Sequence, residues 1–207
     1  MNSMEEKLKT LLDSAIGLFN RYGIRSVTMD DICRELGISK KTIYKHVTSK
    51  EDLVKAMLAS RIHAVMEIFR NASGPNLNAI DTLVTFSKLM GEYMKNLKVN
   101  PSLDYDLKKY YPDIYRNHIE QRNQAMHHHV AENIRQGIDQ GLYRADLNAD
   151  LVASLLIIKI ENLTEPDSVT EGTYSFKKMY KVMIENHIRG IANKKGVKYF
   201  EKNVLSK

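Results

Sequence analysis

Apolar side chains recur along this chain at three- and four-residue spacing almost from end to end, the period of amphipathic helices. Over residues 4–22, Leu8, Leu11, Leu12, Ala15, Ile16 and Phe19 share one face, and Gly23 ends the run. Residues 28–50 read as two short helices joined by a tight turn. Thr28 precedes Met29-Asp30-Asp31, so its hydroxyl caps the first helix while Asp31, three residues on, reaches back. Ile32, Cys33 and Leu36 fall together, and Gly37 stands where a left-handed backbone costs least. Ser39 caps a second helix that begins at Lys40 and turns Ile43 and Val47 inward. Ser49 with Asp52 starts a longer helix, carried by Leu53, Met57, Ile62, Val65, Met66 and Phe69 to about residue 71.

The rest of the chain is also helical in pattern. Breakers fill residues 71–76, and the next apolar period runs over 77–98 until Asn100-Pro101. A short helix near 101–109 follows. Pro112 suits the first turn of a helix to about Gln140, which Gly141 closes. Residues 148–164 and 170–193 form two further helices, separated by the breaker Glu165-Pro166-Asp167. A final amphipathic piece over 196–205 packs or frays. No hairpin dipeptide stands between alternating segments, and no internal repeat is found. The fold class is therefore all-α with about nine helices. An N-terminal three-helix domain over 1–50 holds the helix-turn-helix, the helix at 49–71 links the domains, and a C-terminal helical bundle spans 51–207.

Charge sharpens the picture locally. The chain has 31 basic and 25 acidic residues, net +6, an excess too mild to identify a nucleic-acid binder. Residues 40–50, however, hold Lys40, Lys41, Lys45 and Lys50 with no acid until Glu51. The outward face of the second short helix carries Lys40, Lys41, Thr42, Tyr44, Lys45 and His46. These are donors with reach near a helix N-terminus, the kind a recognition helix offers to base edges in the major groove. Thr28, Tyr44 and Lys50 suit phosphates, which fix register. A lysine cluster alone also fits a solvated face on a helical bundle. The caps, the glycine and the apolar spacing weigh for the DNA reader. A second basic cluster, Arg189 to Lys207, reads as a frayed helix end.

At residues 8–58 the chain resembles the N-terminal domain of the TetR/AcrR family of transcriptional regulators. The resemblance rests on Tyr22-Gly23, Thr28, Leu36-Gly37-Ile38-Ser39, Thr42-Ile43-Tyr44-x-His46 and Lys50-Glu51-x-Leu53. It implies that Thr28, Tyr44 and Lys50 touch phosphate while Lys40, Lys41, Thr42, Lys45 and His46 face the groove. Cys33 stands where alanine is usual, Lys41 where glycine or proline is frequent, and Val47 where phenylalanine is common. Lys41 and Lys45 change the reading face itself, so no operator sequence carries over. The resemblance further implies a ligand-responsive repressor that binds a palindromic double-stranded DNA operator as a homodimer. The helices at 148–164 and 170–193 are apolar over more than one face, and the resemblance gives their second face to a partner subunit. It also implies a small-molecule effector pocket, apolar or amphipathic in its ligand. Candidate lining residues are Met66, Phe69, Phe86, Met90, Tyr93, Met94, Tyr110, Tyr111, Tyr115 and Met126. A Met and aromatic stripe at helical spacing is also what a plain core looks like.

Other chemistry is thin. Cys33 is the single cysteine, so no internal disulfide or thiolate cluster forms, which fits a reducing cytoplasm. His127-His128-His129 are neighbours on a helix and point about 100° apart, so they cannot converge on one ion; no metal or cofactor is expected. Phosphate-binding glycine loops, nucleophile elbows and zinc spacings are missing, which argues against an enzyme. The strongest apolar run, Leu151–Ile158, is interrupted by Ser154 and is far below the roughly 20 residues a bilayer requires, so no membrane span is expected. The competing reading is a helical adaptor that lays its basic face on a protein partner or an anionic membrane.

Overall fold

The computed structural model describes residues 3–96, 101–164 and 174–205. Among them it forms ten α-helices: α1 (Ser3–Tyr22), α2 (Met29–Leu36), α3 (Lys40–Ile43), α4 (Lys50–Ala72), α5 (Ala79–Asn96), α6 (Pro101–Tyr110), α7 (Pro112–Asp139), α8 (Ala149–Thr164), α9 (Phe176–Ile191) and α10 (Lys194–Phe200). A π-helical turn follows at Glu201–Leu205. The all-α expectation holds, with no strand among the described residues beyond an isolated bridge between Tyr143 and Ala192. The helix expected over 170–193 is seen from Phe176 to Ile191, its expected first residues and the Glu165-Pro166-Asp167 breaker lying outside the described residues. The piece at 196–205 is ordered: Asn193 Oδ1 accepts from Gly196 N at 3.0 Å and starts α10. Phe200 is buried, and Arg189 pairs with Glu201 at 2.7 Å.

Packing divides the chain into two units, one made of residues 1–63 with 98–120 and the other of 64–97 with 121–207. Packing thus does not follow a single cut near residue 50, because α6 returns to the N-terminal helices. In the first unit Phe19, Ile24, Ile32, Ile43, Leu53 and Met57 are fully buried, and Leu103 and Leu107 of α6 complete the same cluster. That is an apolar interior with contributions from five helices, assembled around two short ones that could not hold their shape alone.

The second unit is built on α5 against α9, its most extensive helix pair. Its core takes Ile80, Leu83 and Phe86 from α5, Val130 and Ile134 from α7, Ala153, Leu156 and Ile157 from α8, and Tyr180, Ile184 and Ile188 from α9. Asn78 caps α5 through Oδ1, which accepts from Ile80 N at 2.9 Å and Asp81 N at 3.0 Å. The turn after α7 is stitched to the end of α9. Asn193 Nδ2 donates to Gly141 O at 3.0 Å and to Tyr143 O at 3.2 Å, while Arg144 N donates to Ile191 O at 2.9 Å. Tyr143 is 1% exposed, and its ring lies against Gly137, where a Cβ would come within 2.0 Å of it.

Candidate nucleic-acid interface and ligand cleft

The turn between α2 and α3 is built by local chemistry. Thr28 Oγ1 accepts from Asp31 N at 3.2 Å and the Asp31 carboxylate accepts from Thr28 N at 2.9 Å, a reciprocal capping box. These bonds, from the Thr28 hydroxyl first and its backbone N–H next, hold the Asp31 carboxyl below the ordinary aspartate range. Gly37 sits at φ 63°, left-handed, and Ile38 N then reaches Cys33 O at 3.0 Å. Ser39 Oγ accepts from Thr42 N at 3.1 Å and starts α3.

α3 is shorter than the sequence suggests. Regular helix ends at Ile43, and Lys45 N→Thr42 O at 3.2 Å and His46 N→Ile43 O at 2.9 Å carry the chain on as tightened turns to Val47. The cause lies just downstream. Ser49 Oγ accepts from Asp52 N at 3.2 Å and the Asp52 carboxylate binds Thr48, so residues 48–49 are already committed to the start of α4.

The expected contact residues are not equally available. Lys41, Tyr44 and Lys45 are exposed, and Thr28 is too. Thr42 and His46 are half-buried, and the Thr42 hydroxyl lies 2.9 Å from Ser39 Oγ. Lys40 Nζ pairs with Asp30 on α2 at 2.8 Å, which raises its pKa. Lys50 is half-buried, and burial lowers its pKa against the opposing pull of Asp106 and Asp31. One cation nearby had no local sequence signal. Arg25 N donates to the buried Asp106 carboxylate at 2.9 Å, and its guanidinium donates to Tyr110 Oη at 2.6 Å while lying over that ring. The partners stand 81 and 85 residues away in sequence.

Residues 11–57 match the family model described as bacterial regulatory proteins, tetR family. This N-terminal segment, under a quarter of the chain, is similar to the tetR family. The HTH-type transcriptional repressor KstR2 of Mycobacterium tuberculosis is 26% identical over 149 residues, covering 69% of this chain and 72% of that protein. The HTH-type regulator YvaF of Bacillus subtilis is 31% identical over 108 residues, 52% of this chain and 55% of that one. A transcriptional regulator from Cytophaga hutchinsonii has the same fold at TM-score 0.73 and 20% identity, covering 90% of this chain and 99% of its own. The matched family model and these relatives are all described as transcriptional regulators.

The residues expected to line an effector pocket divide between the two units. Met66, Phe69, Phe86, Met90, Tyr93, Met94 and Met126 belong to the core of the second unit or pack against it. Tyr111 and Tyr115 instead pack on the core of the first unit, and Tyr110 holds Arg25 there, so the structure does not gather these three tyrosines with the rest. A cleft of about 470 Å³ does exist in the second unit, and only Phe69 and Phe86 of the expected set line it. The other walls come from α5, α7 and α9, notably Leu83, His129, Val130, Asn133 and His187. Phe69 stacks on Phe86 with centroids 3.8 Å apart and on His129 at 4.9 Å. Of the histidine run, His127 Nε2 contacts Asp150 O at 3.0 Å, His128 lies 3.6 Å from Glu132, and His129 joins the stack. Among the described residues no three His, Cys, Asp or Glu side chains are placed to hold a metal ion. No helix among them is long and apolar enough to cross a membrane.

His187 is 8% exposed, and burial, assisted by Lys159, lowers its pKa to about 4. The folded chain therefore resists protonation there while the unfolded chain accepts a proton near pH 6.5. The penalty is absent above pH 6.5 and grows as pH falls toward 4. Stability should drop by about 2–3 kcal/mol across that window from this group alone. Urea titrations at pH 7 and pH 4.5 on the wild type and His187→Gln check it: the variant should lose less, and an equal loss in both removes His187 as a source.

Proposed function

We propose that this regulator is a cytoplasmic homodimer that binds a palindromic operator and represses transcription until a small molecule occupies the second unit. The observation that carries the DNA-reading part is the exposed pair Lys41 and Lys45 on a recognition segment fixed at both ends by capping bonds. A segment so held enters the groove without first being ordered, which lowers the entropy cost of binding. Tyr44 and Thr28 flank it as phosphate contacts, with Lys50 and Arg25 as further cations. Lys40, Thr42 and His46 complete the reading face. Lys40 has to release Asp30 to take part, which makes it the weakest of the lysine contributors.

The dimer rests on α8 and α9. Leu151, Leu155 and Ile158 project from one face of α8 at 59%, 51% and 52% exposure, and Val182 of α9 is 48% exposed. Four large aliphatics on two neighbouring helices form a seam that a second copy would cover, and two-fold pairing then presents two reading helices to two half-sites. Leu155→Asp places a charge in that seam. The expected result is a monomer by sedimentation at micromolar concentration, unchanged helicity, and operator affinity reduced at least tenfold. A variant that remains dimeric would rule out this face.

Effector control supports the use of α4, which begins beside the reading segment at Lys50 and ends at Ala72 with Phe69 in the cleft wall. A ligand that binds the DNA-free arrangement better by about 1–3 kcal/mol is enough to release the operator. Similar proteins carry diverse names, a ketosteroid regulator, a γ-butyrolactone receptor and a fatty acid degradation regulator among them, so the fold alone does not choose a ligand class. The test of the whole reading is affinity selection of sheared genomic DNA by the purified protein at about 150 mM salt. One two-fold symmetric site supports it; diffuse recovery counts against it.

A further inference from the structure

The second unit's cleft holds a polar group that nothing among the described residues uses. His187 Nε2 is buried and no described protein group hydrogen-bonds it. Buried polar atoms are nearly always paired, and those that are not tend to await a ligand or a water. Three polar lining groups already have partners. Asn133 Nδ2 donates to Ala79 O at 2.9 Å, Gln140 Oε1 accepts from Ala79 N at 2.9 Å, and Ser73 Oγ donates to Phe69 O at 2.9 Å. Arg135 is the one arginine or lysine among the lining residues, and it makes both of its 2.8 Å contacts to Asp150.

The remaining walls decide the class. Phe86, Phe69 and His129 form a stacked aromatic surface, with Leu83 and Val130 beside it. Glu132 and Asp139 are exposed lining residues, so an anion meets two carboxylates and no uncommitted cation among the lining residues, Lys159 lying outside the lining. A cation meets those carboxylates only where water screens them, and it would have to shed its own water to go deeper. A hydroxyl is the group that satisfies either tautomer of a neutral imidazole, since it donates and accepts.

We propose that this cleft binds an uncharged, flat, apolar molecule of about two fused rings, with one hydroxyl hydrogen-bonded to His187 Nε2. The assignment rests on the effector-controlled reading above and narrows its ligand class. A volume of about 470 Å³ has room for a molecule of this size. His187 fixes the ligand's orientation, and the aromatic wall supplies contact area.

The test is calorimetric titration of the full chain at pH 7.5 with four probes of one shape: 2-naphthol, 2-methylnaphthalene, 2-naphthoate and 2-naphthylmethylammonium. The expected result is one 2-naphthol per chain, bound at least fivefold tighter than 2-methylnaphthalene and at least tenfold tighter than either ion. His187→Leu should bring 2-naphthol down to the level of 2-methylnaphthalene, while His187→Gln, which keeps a donor and an acceptor, stays within about threefold of wild type. Should the leucine variant fail to fold, the wild-type comparison of hydroxyl with methyl decides alone. Absence of saturable 2-naphthol binding, an ion that binds as well, or a hydroxyl that adds nothing would each overturn the assignment. No DNA is present in the titration. A chain that recovers a symmetric operator yet prefers an ion therefore refutes the ligand class and leaves the regulator reading standing.

Discussion

Tyr143→Ala should lower the unfolding free energy of the second unit by about 3–5 kcal/mol, the range for removing a large ring from a close-packed interior. The ring is 1% exposed and belongs to the main core cluster, so little can collapse into the space it leaves. Its hydroxyl contributes little of this. The bond to Asn133 Oδ1 is long at 3.4 Å, so Tyr143→Phe should cost under about 1 kcal/mol. Gly137 faces the same ring, and a Cβ there would lie 2.0 Å from Tyr143 Cδ2, far inside any tolerated contact. Gly137→Ala should therefore cost about 2–3 kcal/mol through overpacking. The two costs are not independent. In Gly137→Ala/Tyr143→Ala the new methyl enters the emptied space, so the double variant should be no less stable than Tyr143→Ala alone. Urea unfolding followed by far-ultraviolet circular dichroism measures all four proteins. Costs that simply add would show that the two residues do not share the site.

Lys41→Ala/Lys45→Ala should reduce operator affinity on the order of a hundredfold or more at about 150 mM salt, because the proposed dimer would lose four exposed cations at once. The slope of log affinity against log salt should fall by about three to four, and preference for the selected operator over its scrambled version should shrink. Stability should stay within about 0.5 kcal/mol, since neither side chain is buried. Lys40→Ala is the internal comparison. Its ammonium already serves Asp30 at 2.8 Å, so its removal should cost the complex less than either neighbour. Fluorescence anisotropy over a salt series reads each quantity. An unchanged slope in the double variant would remove these lysines from the interface.

What the sequence made legible was local. Thr28 with Asp31, Gly37 and Ser39 act within three or four residues of one another, and each forms the bond its spacing implies. Helix existence was equally plain, because a 3.6-residue period needs no knowledge of the partner. What the period does not carry is which unit a helix packs with. Tyr110, Tyr111 and Tyr115 sit at helical spacing downstream of the Met-rich segment, yet Leu103 and Leu107 draw α6 and the start of α7 to the N-terminal core. His187 was hidden for a related reason. It occupies an ordinary inward position on an amphipathic helix 58 residues from His129, and only folding reveals that both line one cleft. The end of α3 is not legible in the sequence, because Ile43 and Val47 keep the helical period while Thr48 and Ser49 are already bonded to Asp52.

Cys33 gives the first unit a clock. It is the chain's one thiol and is 7% exposed within the core cluster that α2 shares with α1 and α4. A thiol-reactive dye can reach it only when that cluster opens, so the rate of labelling measures how often the reading domain comes apart. The second unit contributes no signal of its own, having no cysteine. One reagent added to the unaltered protein thus reports the breathing of the DNA-reading half alone, and a bound operator should slow it in proportion to its grip.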